Sequence, residues 1–543
     1  MQNALIDQFY GLTWNESADT YARTGLVSHF KAAAKPYDEL MSIHKLMRRC
    51  VISDAGVVQY YLDPDSSANK EGVAPSVTGT LTDATAFNKL KCVGAFTAAN
   101  CGVGRIIHNT TVGKTAFYAV ITARDSDDEV TIENYMHGGK TPRCFGVATT
   151  DTTNKLVASA TNFTTAGVAV GDIVRRVSTD RLTVNAIMKV KAKDDDNTLS
   201  LKDWAGSDYD GFPSGNEKFV ISPESFSTGD TFEICTAVLD GTDGQVMVEI
   251  PKFYYKYSYA GTTHSWSISL YPLSGFVIHP AFIRNGVVVP RRFFAAFNGY
   301  KDGSNKLRSV LGQFPITNIT RATARTYANN VSTSWSQVDF YLYSAVQLLY
   351  LIEYASFYSQ SVIGNGATTW GGTNWNNYNG YYPVWKSGLS LFKGNKTFNN
   401  SPVDNVLGNG GWMTYRGIEN FFGHIWKFID GININNNRAY ICNNSLLPFA
   451  DDTLTGYTDV GVNMVNSDGY QSTLLQLGYC FFPASVGASS STKITDYYYQ
   501  NSGWRLALSG GSLSSGADAV FFCLSLAYTS SYTYTYIGYW VAL

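Results

Sequence analysis

Apolar and polar positions repeat with two different periods along this chain. Over residues 336–359 the apolar side chains recur about every 3.6 residues, which predicts the strongest helix of the sequence. A second helix is predicted over 39–49, in the segment ELMSIHKLMRR. Residues 50–62 predict two strands around a turn at 54–56. Runs such as AFYAVITA and DIVRRV, within 65–240, alternate in the manner of half-buried strands.

The end of the chain carries a third pattern, in which tyrosine, serine and threonine take the place of charged residues. After Arg505 the only formally charged side chain is Asp518. Tyr532, Tyr534 and Tyr536 alternate with threonines, so a strand here would place three rings on one face. Tyrosine and serine are the residues that binding loops of antibodies favour. The pattern indicates a recognition surface, and the alternative is a plain half-buried strand, since Tyr and Thr both favour strands.

A set of fixed positions frames this tyrosine run. The frame consists of Gly503-Trp504-Arg505, Leu508, Gly510-Gly511-Ser512, Gly516-Ala517, Ala519 and Ile537-Gly538-Tyr539. It resembles the variable region of diversity-generating retroelement proteins, a family with a C-type lectin fold of the formylglycine-generating-enzyme type. The sequence departs from the family where Tyr536 stands in place of a frequent Asn and Leu513 in place of a common Trp.

The resemblance implies that ligand contacts come from the positions between the frame residues. These positions, with one tyrosine just upstream, are Tyr499, Leu513, Ser514, Ser515, Asp518, Ser525, Ala527, Tyr528, Tyr532, Tyr534 and Tyr536. The family diversifies adenines, often in Asn codons, and every residue within the frame at these positions can be reached in that way. We expect eight of them to form one contiguous solvent-facing patch: Tyr528, Tyr532, Tyr534 and Tyr536, with Ser514, Ser515, Asp518 and Ser525.

The resemblance also predicts the domain organisation. Segments such as GQVMVEIPKFYYK and GIENFFGHIWKFIDG extend it over 241–543, with the variable region at about 496–540. Residues 1–64 are an N-terminal segment that resembles the start of the same domain, and 65–143 and 144–240 are predicted as two β-rich modules. The expected fold class is therefore α+β: a C-type-lectin-like domain at the C-terminus with β-rich N-terminal or inserted modules.

The function that the resemblance implies is binding to a host cell. The chain is similar to tail fibre or tail-tip proteins of bacterial viruses, which adhere to a receptor on the bacterial surface. The receptor is a glycan or a protein, and the expected partners are other phage tail proteins and two further copies in a homotrimer. We expect the protein at the distal end of the virion tail, with no cofactor, made in the host cytoplasm without a signal peptide.

Composition agrees with a binding protein of this kind. The 543 residues carry 41 basic and 43 acidic side chains and no basic stripe, which argues against nucleic acid as a ligand. The N-terminus has no apolar signal core, and no stretch of 18 apolar residues predicts membrane insertion. The eight cysteines include no CxxC pair and are expected to be mostly buried free thiols.

The alternative is an enzyme, a metal-dependent oxidase similar to the formylglycine-generating enzymes, which hold copper on a cysteine pair. Cys480 and Cys523 lie in apolar runs, which favours core packing over redox work. The seven histidines include no HxxxH or HxH pair, and His424 is expected to be structural. Glu419 and Asp430 are expected to anchor turns rather than to act as an acid and base. We therefore expect no enzymatic activity.

One further aromatic group invites a carbohydrate-stacking role, or else forms the core of its own loop. Its members are Trp370, Trp375, Tyr378, Tyr381, Tyr382 and Trp385.

Overall fold

The chain folds mainly into antiparallel β-sheets. The computed structural model describes residues 9–25, 42–84, 88–112, 117–132, 137–138, 144–149, 154–159, 161–170, 172–177, 184–203, 207–208, 218–222, 226–368, 386–400, 412–442 and 449–543. Of these residues, 41% lie in strands and 9% in helices. The expected α+β class is therefore wrong, and the fold is β-rich. The expectation gave one long helix too much weight against the many short alternating runs.

That long helix, Phe340–Tyr354, passes through the middle of the protein. Asp339 caps its first turn by accepting the backbone N–H of Leu342 at 3.0 Å, and the helix ends where Ala355 adopts a left-handed conformation. All of its side chains except that of Tyr341 are buried, so the helix is enclosed on every side. The other helices are Ser42–Lys45, Arg321–Asn329 and Ser359–Val362, with short 3-10 turns at Pro280–Phe282, Leu391–Lys393 and Gly516–Asp518.

The second predicted helix is wrong at its C-terminal end. Of its residues that the structure describes, 42–49, only Ser42–Lys45 is helical, and the chain then enters the strand Arg48–Ile52. Val58–Tyr61 pairs with that strand, so the two strands predicted around the turn at 54–56 are confirmed. None of the helices in the described ranges has the length and apolarity required to cross a bilayer.

The N-terminal segment and the C-terminal half share two sheets and one hydrophobic core. The first sheet has the strand order Ser336–Gln337, Val541–Ala542, Arg291–Ala295, Gln245–Pro251, Arg48–Ile52, Val58–Tyr61. The second has the order Thr20–Gly25, Tyr10–Asn15, Thr263–Ser269, Tyr254–Ala260, Val277–Ile278. Strands on both sides of 65–240 therefore build one common body.

Two β modules with separate cores lie between these parts of the chain. The first has the order Val77–Thr80, Thr231–Val238, Arg105–Asn109, Phe117–Arg124, Glu129–Ile132, Lys89–Lys91, with His137–Gly138 paired beside Phe117–Arg124. The second has the order Cys144–Val147, Lys218–Ser222, Ile173–Val177, Val184–Lys193, Thr198–Lys202, Lys155–Val157. Because Thr231–Val238 returns to the first module, the second module is an insertion within the first.

The largest sheet supports the C-terminal end of the chain. Its order is Tyr457–Asn463, Arg438–Cys442, Trp426–Asn435, Trp504–Ser509, Leu524–Ser525, Tyr497–Tyr499, Gly469–Leu474, Pro483–Val486, and Ile537–Gly538 pairs in parallel with Trp426–Asn435. The remaining strands are Ile283–Arg284 with Val287–Val288, Tyr300–Lys301 with Leu307–Arg308, and Phe398–Asn400 with Trp412–Tyr415 and Ile418–Glu419.

Candidate binding surface

The frame residues hold a tight loop that follows the strand Trp504–Ser509. Gly510 and Gly511 both have positive φ, at 87° and 67°. A Cβ at Gly510 would lie 2.8 Å from the carbonyl oxygen of Phe421, so the close approach of two backbones requires glycine there. Farther along the loop, Gln360 donates to the carbonyls of Gly516 at 2.9 Å and Ala519 at 2.8 Å. The loop is therefore fixed by backbone contacts.

Four tyrosines after this loop lie ring against ring, and we call them the tyrosine quartet: Tyr528, Tyr532, Tyr534 and Tyr536. The ring of Tyr532 stacks with that of Tyr528, at 4.0 Å, and with that of Tyr534, at 5.9 Å. The Tyr534 and Tyr536 rings lie 4.4 Å apart and are tilted against each other. The Tyr528 and Tyr536 hydroxyls lie 3.2 Å apart. All four side chains are half-buried, with one side packed on the core. The rings therefore form one continuous aromatic surface.

The backbone under the quartet is irregular, so the alternative of a plain half-buried strand over 532–536 is wrong. Its hydrogen bonds go to remote segments instead of a neighbouring ladder. The carbonyl of Tyr528 accepts the N–H of Leu506 at 2.9 Å, and that of Tyr536 accepts the N–H of Trp426 at 2.8 Å. The carbonyl of Tyr534 accepts the N–H of Asn318 at 3.0 Å. All three hydrogen bonds join main-chain atoms, so they do not depend on the side chain present at each position.

A second group of tyrosines surrounds Asp518, and we call it the acidic cluster: Asp518, Tyr470, Tyr497 and Tyr499. The hydroxyls of Tyr470 and Tyr499 donate to the two carboxylate oxygens of Asp518, at 2.6 and 2.9 Å. The Tyr497 ring lies 5.0 Å from that of Tyr470 and 4.5 Å from that of Tyr499. Tyr470 and Tyr497 were not among the predicted positions; the YYY run at 497–499 was the available signal for Tyr497.

Trp426 joins the two groups. Its ring lies 6.1 Å from that of Tyr499, edge to face, and its backbone N–H bonds to the carbonyl of Tyr536. Partial burial raises the pKa of Tyr499 and Tyr536 well above the ordinary value, and that of Tyr470 to about 12. These hydroxyls therefore stay protonated at neutral pH and donate hydrogen bonds.

The other predicted positions divide into accessible and buried residues. Ser514 is exposed, and Ser515 and Ala527 are half-buried beside the loop. Leu513 and Ser525 are only 1% and 3% exposed, so the expected place of Ser525 in the solvent-facing patch is wrong. Ser525 lies in a short central strand, where it pairs with Leu508 on one neighbouring strand and with Tyr499 on the other.

The residues considered for chemistry are buried. The thiols of Cys480 and Cys523 are buried, and desolvation raises the pKa of both well above the usual value. They do not fit the accessible, readily ionised pair that a redox metal needs. Burial lowers the pKa of His424 to about 3. Within the described residues, no three His, Cys, Asp or Glu side chains gather closely enough to hold a metal ion.

Glu419 contacts a turn, as its expected anchoring role requires, whereas Asp430 chiefly contacts a guanidinium. Glu419 accepts the N–H groups of Gly388 at 2.9 Å and Ser390 at 2.6 Å. Asp430 accepts the guanidinium of Arg325 at 2.9 and 2.8 Å. The prediction of mostly buried free thiols is confirmed for the seven cysteines whose side chains are described, six of which are buried.

The chain matches no family model and no curated protein sequence. The site is therefore defined by its own geometry: two aromatic groups, one neutral and one acidic, on either side of Trp426. The aromatic group at 370–385 lies outside the described residues, and its relation to this surface stays a prediction.

Proposed function

We propose that the chain is a phage receptor-binding protein that adheres to a bacterial surface through the tyrosine quartet and the acidic cluster. The observation that carries this proposal is the separation of roles within one segment. Main-chain hydrogen bonds hold residues 528–536 in place, while the half-buried tyrosine rings of this segment contact one another and form one surface. Binding side chains on a scaffold that does not depend on them can vary without loss of the fold.

The residue types suit adhesion rather than catalysis. Tyrosine rings bury a large area at low cost in side-chain entropy, and their hydroxyls bond equally well to sugars and to protein backbones. The register of the frame residues with retroelement variable proteins supports the same proposal. Under it, the eleven positions from Tyr499 to Tyr536 are those at which the protein is diversified, with Leu513 and Ser525 acting from beneath the surface.

The test is saturable binding of the labelled chain to intact bacteria. We expect strains to divide into binders and non-binders, and we expect the unlabelled chain to compete on the binders. The double variant Tyr532→Ser/Tyr536→Ser should weaken binding more than about tenfold, because a few aromatic anchors carry most of an interface's energy. The matched control, Tyr440→Ser, alters a half-buried tyrosine on the strand Arg438–Cys442 of the largest sheet. Equal binding by all three forms would contradict the proposal.

We also propose that three copies assemble at the distal end of the virion tail, in contact with other tail proteins. Three copies of one weak site gain avidity when they engage one cell surface together. Light scattering should give about three times the 59.6 kDa of one chain. A monomer at micromolar concentration would contradict the trimer and leave the binding surface unaffected.

A further inference from the structure

The acidic cluster has the form of a small, separate binding site. Tyr470 and Tyr497 are direct partners on neighbouring antiparallel strands, so their side chains leave the sheet on the same face. Tyr499 lies two residues beyond Tyr497 and shares that face, while the intervening Tyr498 is fully buried on the other. The 3-10 turn Gly516–Asp518 brings the carboxylate of Asp518 to the same three rings.

The electrostatic character of this site is negative. Burial raises the pKa of the Tyr497 hydroxyl, and the carboxylates of Asp468 and Asp518 raise it further. No basic residue occurs in the sequence between Arg505 and Leu543. Aromatic faces are themselves electron-rich and attract cations within about 6 Å of the ring centre. Rings and carboxylate therefore favour the same kind of ligand.

We propose that the acidic cluster binds an ammonium group of the receptor; this inference rests on the proposed adhesion function and names the chemistry of part of its ligand. Each carboxylate oxygen of Asp518 already accepts one tyrosine hydroxyl and keeps one lone pair. A compact ammonium can approach one of these oxygens and the ring faces together. A hard metal ion would need several oxygen ligands, and Asp518 is the one carboxylate bonded within this cluster.

The experiment uses choline as the probe and its neutral carbon isostere, dimethylbutanol, as the matched control. Saturation-transfer NMR on the full chain should show saturable binding of choline and little of the isostere. Asp518→Asn keeps the shape and one acceptor but removes the charge, and should weaken choline binding at least about tenfold. Tyr497→Leu should weaken it similarly. Asp459→Asn, on the opposite edge strand of the same sheet, should leave it unchanged.

A parallel titration with Nα-acetyl-lysine amide, whose side chain keeps its ammonium group, distinguishes a quaternary from a primary ammonium ligand. Tighter binding of choline assigns the site to a quaternary ammonium, and tighter binding of the lysine derivative assigns it to a primary one. Equal binding of choline and its isostere, no saturable binding of either cation, or an unchanged affinity in Asp518→Asn would overturn the inference.

Cell adsorption distinguishes the failure of this inference from failure of the proposed function. If Tyr532→Ser/Tyr536→Ser loses adsorption while Asp518→Asn keeps it fully, the ammonium site is not part of receptor binding and the adhesion function stands. If neither variant changes adsorption, both proposals fail. Melting temperatures of all variants within a few degrees of the native protein confirm that folding is intact.

Discussion

The buried carboxylate of Asp430 holds the sheet beneath the binding surface at its most irregular point. Strand Trp426–Asn435 changes register against Trp504–Ser509 between Ile429 and Ile434. At this register shift the fully buried carboxylate of Asp430 accepts hydrogen bonds from Nε and Nη2 of Arg325. It also accepts the N–H of Gly431 at 2.9 Å. The Asp430→Ala substitution removes these bonds together.

The expected cost follows from what remains. Arg325 would keep Asp451, at 2.7 Å, and the fully buried Arg321 would lose the Asp430 carboxylate at 3.8 Å and keep Asp451 at 2.9 Å. Removing one partner of a buried ion pair costs about 3–5 kcal/mol. The matched control is Asp459→Ala, which breaks the pair with Arg438 on the same sheet. There the side chains are 40% and 34% exposed, and the expected loss is about 1 kcal/mol or less.

Hydrogen exchange measured by mass spectrometry resolves the effect, because the separate β modules complicate a global unfolding curve. Amides of 426–435 and 504–509 should lose roughly two to three orders of magnitude of protection in Asp430→Ala and less than about tenfold in Asp459→Ala. Protection in Asp430→Ala that stays within tenfold of the native protein would refute the assignment of Asp430 as a main support of the sheet.

Two further predictions concern stability. Burial lowers the pKa of His44 to about 4, so the unfolded chain binds a proton below pH 6.5 that the folded chain does not. This one group should therefore lower the free energy of unfolding by roughly 2 kcal/mol between pH 7 and pH 5. The His44→Gln variant should lack this contribution when the free energy is measured by urea titration at the two pH values. Gly511→Ala should lower the melting temperature by more than Gly461→Ala, since both glycines have positive φ but only at Gly511 would the new methyl meet Ala519. Equal losses would show that backbone strain alone matters.

The sequence predicted the elements whose signals are local. The long helix could be predicted because its apolar period is continuous, and Asp339 supplies a cap at its start. Its span is shorter than 336–359, because Ser336–Gln337 pairs with Val541–Ala542. The turn at 54–56 was likewise predicted from its own residues.

The errors arise where remote partners decide the conformation. Residues 48–49 end the segment with a helical pattern, yet they open the strand Arg48–Ile52, because Gln245–Pro251 pairs with it from about 200 residues away. The alternation at 532–536 is typical of a strand, yet Asn318 and Trp426 take its carbonyls from other parts of the chain. Tyr470 belongs to the acidic cluster because its strand pairs with Tyr497, and the residues next to Tyr470 in the sequence do not indicate this pairing.

The central claim is that the tyrosine quartet binds a receptor and contributes little to the fold. It is tested most directly by measuring cell adsorption and melting temperature on the same preparations of Tyr532→Ala and Tyr539→Ala. Tyr539, seven residues away, is fully buried and donates to the carbonyl of Ile319. We predict that Tyr532→Ala loses about 1–3 kcal/mol of binding and about 1 kcal/mol or less of stability, whereas Tyr539→Ala loses about 3–5 kcal/mol of stability. Unchanged adsorption by Tyr532→Ala, with a melting temperature as low as that of Tyr539→Ala, would contradict the claim.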